Sequence, residues 1–177
     1  MKKSFKISFC IPSLNRPEYL LNAIQSITNQ IDFTNDIEIC IYNNSSDTSY
    51  SNIENYLKNL LNTNIIYRKG NVRLGIDDSM HEVIKMARGE YLYLLGDDDF
   101  LLPNSLKTIL DLIRESEFDL VIFNAIIYNE KNNTRTKMFS YNTIKLEKLD
   151  FVLNEFKNYC SYGNILLKSE LCGFLRA

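Results

Sequence analysis

Histidine is almost missing from this sequence: His81 is the only one. It falls on a predicted helix away from any serine or cysteine motif, which argues against a triad built on a histidine base. Cysteine is sparse, and Cys10, Cys40, Cys160 and Cys172 have no metal-ligand spacing. Cys10 and Cys40 sit inside apolar strand patterns, so reduced, buried thiols in a cytoplasmic protein are the expectation. No apolar run approaches the length of a membrane span. The opening MKKSFKISFCIP lacks the apolar core of a signal peptide and reads as a lysine-led strand. A basic excess is lacking too, since the formal net charge is −2, and no footprint for nucleic acid results. Repeats, low-complexity tracts and domain linkers are likewise absent. What remains is 177 residues, 45% hydrophobic and 24% charged, enough for one soluble globular domain with a sizeable core.

Strand and helix patterns alternate along it. Phe5 to Ile11 reads as a strand closed by Pro12 and Ser13, and Pro17 opens a helix striped by Leu20, Ala23, Ile24 and Ile27. Ile37 to Tyr42 is a second strand, running into the polar segment Asn43 to Asp47. Ile53, Tyr56, Leu57, Leu60 and Leu61 stripe the next helix, and Ile65 to Arg68 forms a short third strand. After a loop holding Gly70 and Gly75 comes a helix with Ile76, Met80, Val83, Ile84 and Ala87 on one face, stopped by Gly89. Tyr91 to Leu95 is a buried strand, and a helix striped by Leu106, Ile109, Leu110 and Ile113 follows Pro103. Phe118 to Ala125 is a further apolar strand. This order predicts an α/β domain whose mainly parallel sheet is flanked by helices. Beyond residue 126 the pattern changes. A hairpin around NEKNNTRT is expected, then a helix over Leu146 to Phe156 and a last strand over Tyr162 to Leu167.

Three polar segments fall at the carboxyl ends of strands, where ligands collect in sheets of this kind. They are Pro12 to Arg16, Asn43 to Asp47, and the carboxylates Asp97, Asp98 and Asp99. Three adjacent carboxylates repel one another unless solvent or a cation takes up the charge. A hard divalent cation held by one or two of them and by a substrate's phosphates would do so. A solvated turn with one aspartate capping the helix is the plainer account of that segment alone. Asparagine and serine can read a base or ribose edge, and Arg16 can pair with phosphate.

The stretches ISFCIPSLNRPEYLLNAIQSI, IEICIYNNSSD and NVRLGIDDSMHEVIKMARGEYLYLLGDDDFLLP resemble, in unbroken order over residues 5 to 115, the nucleotide-sugar-binding part of a family 2 glycosyltransferase. That family has the GT-A fold, and the likeness is greatest to bacterial enzymes that extend surface polysaccharides. The resemblance implies nucleotide contacts from Pro12, Ser13, Asn15, Arg16, Asn43, Asn44, Gly75 and Asp97. It implies Mn or Mg on the donor diphosphate, held by Asp97, Asp98 and Asp99, with Asp98 the main ligand by position relative to Pro103. Asn43 stands where the family has an aspartate beside the base, and Ser79 where many relatives have asparagine. The implied reaction is inverting transfer from a nucleotide-sugar, a UDP-sugar by preference, to a saccharide or lipid-linked acceptor. It would run in the cytoplasm or at the inner face of the membrane, with peripheral membrane association or self-association. The base that this route needs has only Asp150, Glu155 and Glu170 as nearby candidates.

Residues 1–125 are therefore expected to form a nucleotide-sugar-binding core, and 126–177 the start of an acceptor side. So short an acceptor side predicts a donor-binding half that transfers sugar slowly. Tyr67-Arg68-Lys69 could meet phosphate but reads first as plain surface, and Asp77-Asp78 as ordinary helix-start chemistry. A nucleotidyltransferase would want a glycine-rich loop after the first strand, and Ile11 to Asn15 contains no glycine. A phosphoryl-receiver would need its nucleophilic aspartate where Ser13 and Asn15 stand. The alternative of weight is a non-catalytic nucleotide- or glycan-binding module of the same fold.

Overall fold

A computed structural model describes residues 5–30, 36–60, 64–139 and 163–175. In chain order the elements are β1 (Ile7–Ser13), α1 (Pro17–Thr28), β2 (Ile37–Asn43), α2 (Ser51–Asn59), β3 (Ile65–Lys69), α3 (Ile76–Met86), β4 (Tyr91–Leu94), α4 (Ser105–Glu115), β5 (Leu120–Ile122), β6 (Ile126–Asn129), β7 (Thr134–Lys137) and β8 (Ile165–Lys168), followed by a 3₁₀ helix over Ser169–Leu175. Six strands form one sheet in the order β3-β2-β1-β4-β8-β5. β1, β2, β3 and β4 run parallel, and β8 enters antiparallel between β4 and β5. The expectation of a mainly parallel α/β sheet holds, with one strand of that sheet drawn from far along the chain.

Both faces are covered because the strands are apolar on both sides. Phe9, Ile11, Ile39, Ile41 and Tyr93 pack against Leu20, Ala23, Ile24 and Ile27 of α1, Ile53 of α2, and Leu106 and Ile109 of α4. Cys10, Cys40, Tyr42, Leu92 and Leu94 point the other way, onto Met80, Val83 and Ile84 of α3 and onto Cys172. Alternation along a strand puts odd and even residues on opposite faces, so each strand feeds two cores. Each fully buried Ile or Leu is worth about 1.5–3 kcal/mol relative to exposure. Cys10 and Cys40 are buried, as expected of thiols in strand patterns, and Cys172 of the 3₁₀ helix is buried too; Cys160 lies outside the described residues.

Several expectations need correcting. β1 does not close at Pro12 but runs through Ser13. The Cys10 carbonyl accepts from the Leu95 N–H at 3.1 Å and so faces β4. Pro12, two residues on, faces the same side past the end of β4, where its missing N–H costs no ladder bond. Gly89 is not a left-handed helix stop. A Cβ there would lie 2.7 Å from the Ser8 nitrogen, so the residue is glycine for close backbone approach. Ile76 is exposed rather than on the buried face of α3, whose inward set is Ser79, Met80, Val83 and Ile84. The strand expected over Phe118 to Ala125 shrinks to the three residues of β5, at the sheet edge. The hairpin after residue 126 is present as β6 and β7, a separate two-stranded sheet with both strands exposed. The helix expected over Leu146 to Phe156 lies outside the described residues.

At the amino-terminal edge of the sheet a charge is buried. The Glu38 side chain is 0% exposed and accepts from Ser8 Oγ at 2.6 Å, from Arg88 Nε at 3.0 Å and from Arg88 Nη2 at 2.8 Å. The Arg88 backbone N–H donates to it as well, and the Gly89 N–H donates to Ser8 Oγ at 2.7 Å. This cluster ties the starts of β1 and β2 to the connection between α3 and β4.

Candidate active site

The opposite edge carries the three polar segments, and the structure brings them together. Ser13 ends β1 directly beside Asn43, the last residue of β2, and β4 ends next to Cys10. Asn15 turns the chain in the left-handed region, at φ 57°, a conformation that asparagine tolerates better than most residues. That turn sends the Asn15 N–H to Ser46 Oγ at 2.9 Å and lets Asn15 Oδ1 accept from the Asp47 N–H at 2.8 Å. Asn43 is buried, its Oδ1 accepting from the Ser46 N–H at 3.0 Å and its Nδ2 donating to the Tyr67 hydroxyl at 2.9 Å. Asn44 grips Leu74 twice, accepting from its N–H at 2.8 Å and donating to its carbonyl at 2.9 Å. That grip fixes the loop leading to Gly75, which precedes the first turn of α3. Ser13 Oγ and the Tyr50 hydroxyl share a hydrogen bond of 2.7 Å, and the Arg16 N–H donates to the same phenol oxygen at 3.2 Å. In this state Asn43, Asn44 and Ser13 brace the loops.

Gly96 turns β4 into the acidic segment, and its three carboxylates have three different surroundings. Asp97 is 3% exposed, and its Oδ2 has no hydrogen-bond partner. Its Oδ1 lies 3.4 Å from Arg16 Nη2. Asp98 is exposed and accepts from Arg16 Nη1 at 2.6 Å. Asp99 is half-buried against Gly163, where a Cβ would overlap its carboxylate. Burial pushes the Asp97 carboxyl above the usual aspartate range, partly offset by Ser13 and Arg16. Burial likewise raises Asp99, and the neighbouring Asp98 charge adds to the shift.

A hard divalent cation suits this donor set. It wants carboxylate oxygens, and Asp97 presents a buried one with no partner beside an exposed carboxylate facing solvent. Among the described residues no group of three or more His, Cys, Asp or Glu is gathered to hold a metal. The protein would thus supply only one or two ligands, leaving the remainder to phosphate oxygens and water.

The other sequence candidates fall elsewhere. Glu170 follows β8, whose Lys168 is paired with Tyr91 at the start of β4, so it sits toward the edge away from the acidic turn. There it pairs with Lys168 at 3.0 Å. Asp150 and Glu155 lie outside the described residues. Arg68 pairs with Glu82 and stacks 5.3 Å over the Tyr42 ring, which makes it a surface brace. Sequence reasoning took Ser46 only as part of the polar segment Asn43 to Asp47 and Tyr67 first as plain surface, and it missed Tyr50 and Gly163. The three side chains gave no periodic signal because they act across loops, and Gly163 shows its purpose only once Asp99 is in place.

The model of the family described as Glycosyl transferase family 2 matches residues 8–173. The chain is 40% identical over 116 residues to abequosyltransferase RfbV of Salmonella typhimurium, covering 66% of this chain and 34% of that protein. It is 33% identical over 172 residues to GalNAc(5)-diNAcBac-PP-undecaprenol beta-1,3-glucosyltransferase of Campylobacter jejuni, covering 94% of this chain and 53% of that one. The chain therefore spans about half or less of the length of these two relatives. Among solved structures, S. aureus TarS in complex with UDP-GlcNAc superposes with a TM-score of 0.75 at 18% identity, over 96% of this chain and 47% of that one. The shared fold is GT-A.

Proposed function

The chain belongs to glycosyl transferase family 2, and we propose that it forms the donor-binding part of an enzyme moving a sugar from a nucleotide-sugar to a saccharide or lipid-linked acceptor. The observation that carries this is the buried, unpartnered Asp97 oxygen beside Arg16, at the edge where the loops after β1, β2 and β4 meet. An acidic turn made only to start a helix would have no reason to bury a carboxylate oxygen that has no hydrogen-bond partner.

The donor is a UDP-sugar by preference, in keeping with the UDP-GlcNAc of the TarS complex. Asp98 and Asp97 would hold Mn or Mg, with Asp99 in support. A cation bound there supplies positive charge against the diphosphate as that leaving group departs. Pro12, Ser13, Asn15, Asn43, Asn44 and Gly75 shape the nucleotide seat, and Arg16 pairs with the diphosphate. Transfer is inverting: the acceptor hydroxyl attacks the anomeric carbon from the side opposite the diphosphate, and a carboxylate takes its proton. Asp150 and Glu155 are the first candidates for that base. A lipid-linked acceptor would place the reaction at the inner face of the cytoplasmic membrane. Among the described residues no helix is long and apolar enough to cross a membrane.

Calorimetry tests the reading. UDP should bind in the presence of Mn²⁺ and lose at least about tenfold in affinity in chelator, with GDP the weaker of the two. Equal binding in chelator would remove the metal from the proposal, and tighter GDP would reverse the choice of base. Turnover of a donor with an acceptor separates the enzyme from a binding module.

Gly163 supplies a second check. It sits at φ 118° with the Asp99 carboxylate in the space that a Cβ would take. Gly163→Ala should therefore cost about 1–3 kcal/mol of stability through backbone strain. It should also weaken Mn²⁺-dependent UDP binding by moving Asp99. A variant with wild-type melting and affinity would show that the contact constrains nothing.

A further inference from the structure

We propose that Arg16 couples the two ligands of this site: it holds the metal carboxylates when neither is bound, and it is released to the diphosphate only when both arrive. The inference rests on the donor-site reading above. Its ground is a conflict visible in the geometry. The carboxylates assigned to a cation already have a cation, since Arg16 donates to Asp98 Oδ2 at 2.6 Å and stands 3.4 Å from Asp97 Oδ1. A divalent ion approaching Asp98 meets a lone pair in use and a like charge next to it. It must displace the guanidinium.

Metal alone offers the displaced Arg16 nothing in return. Its side chain is 47% exposed and reaches the carboxylates across the gap between the loops after β1 and β4, so its partners can change without moving the backbone. The Arg16 N–H stays on the Tyr50 hydroxyl, which anchors the base of the side chain. A diphosphate supplies the missing partner, because its oxygens match the planar fork of a guanidinium as well as a carboxylate does. When metal and diphosphate bind together, Arg16 exchanges a carboxylate for a phosphate and keeps its ion pair, while the cation takes the freed aspartate oxygens. The unpartnered Asp97 Oδ2 is the second sign of an unfilled place here, since Arg16 reaches only the other oxygen of that carboxylate. Each ligand thus raises the affinity of the other by the same factor.

The test is Mn²⁺ binding without nucleotide, read by calorimetry and by the electron paramagnetic resonance of free Mn²⁺. Arg16→Gln should bind Mn²⁺ alone at least about fivefold tighter than wild type, while the factor by which Mn²⁺ tightens UDP binding shrinks. Arg16→Lys keeps the charge but not the fork, and should fall between the two. Adding Asp98→Asn to Arg16→Gln should cancel the gain, which ties it to this site. Mn²⁺ affinity in Arg16→Gln equal to or weaker than wild type overturns the proposal. If wild type still binds UDP or GDP through Mn²⁺, only the role of Arg16 falls. If neither nucleotide binds with Mn²⁺, the donor-site reading falls with it.

Discussion

Replacing Glu38 with alanine is expected to cost about 3 kcal/mol of folding stability, the lower end of what removing one partner of a buried ion pair does. The carboxylate has no solvent of its own, and four donors converge on it from Ser8 and Arg88. Alanine leaves the Arg88 backbone N–H without its acceptor in a place where water has no easy entry. Arg88 is 47% exposed at its side chain and recovers part of its solvation, which keeps the loss from the upper end of the range. Stability of about 5–15 kcal/mol is usual for a domain, so such a loss is a large share. Arg88→Ala should be comparably harmful, because it leaves the buried Glu38 charge with only Ser8 and one backbone donor. Glu38→Gln, which keeps the shape and some hydrogen bonds, should lose less. Urea titration of the three variants measures this, and a Glu38→Ala loss below about 1 kcal/mol would show that the cluster is not holding the sheet edge. Nucleotide affinity of the folded fraction should be unchanged, since Ser8 and Glu38 lie at the starts of their strands and the site at the ends.

Asp98→Asn should lower Mn²⁺-dependent nucleotide affinity at least tenfold, about 1.4 kcal/mol, by removing charge while keeping shape. Asp97→Asn should lose at least as much, because the unpartnered oxygen belongs to Asp97. It should have an opposite effect on the metal-free protein. A carboxyl whose pKa is raised by folding favours the folded state when protonated. That contribution is present below the ordinary aspartate pKa and is lost as pH rises through the higher folded value. At neutral pH the ionised Asp97 therefore works against folding, and asparagine does not ionise. Without metal, Asp97→Asn should melt above wild type near neutral pH, and the gap should close on acidification. Saturating Mn²⁺ and UDP should reverse the order, since they stabilise the wild type more than the weaker-binding variant. A variant that melts lower than wild type throughout would mean that the carboxylate contributes more to the fold than its burial costs. Asp47→Asn serves as control. That carboxylate is exposed and forms its ion pair with Arg73 at the surface, so a larger loss there than at Asp98 would move the site.

The helices and parallel strands were legible because their signals are local. The stripe Leu20, Ala23, Ile24 and Ile27 repeats at the helical period whatever surrounds it, and it is buried as a set. The acidic turn and the two loops beside it were legible as residue types at strand ends. Their roles were less so. Asn43 and Asn44 read as groups offered to a ligand, yet both amides here serve other parts of the protein, because a loop edge packed this closely must satisfy its own backbone first. Glu38 gave no warning. One charge inside the strand IEICIYN breaks the apolar run, and only the return of Arg88 and Gly89 to the same spot explains it. β8 was read as a strand, but its place between β4 and β5 depends on where residues more than forty positions apart meet, and no periodicity encodes that.

That insertion has a consequence for how the chain is made. On a ribosome β1 to β4 emerge first and can pair as a four-stranded parallel sheet. β4 then presents bare N–H and carbonyl groups along one side until Ile165–Lys168 arrive, roughly seventy residues later. At about 5–20 residues per second the exposure lasts from about 3.5 to 14 seconds, long compared with the microseconds of hairpin formation. Throughout that interval Asp99 lacks the Gly163 backbone that packs over it. Nascent chains stalled before residue 163 should therefore be the form most prone to pair edge to edge with a neighbour, and the form least able to retain Mn²⁺.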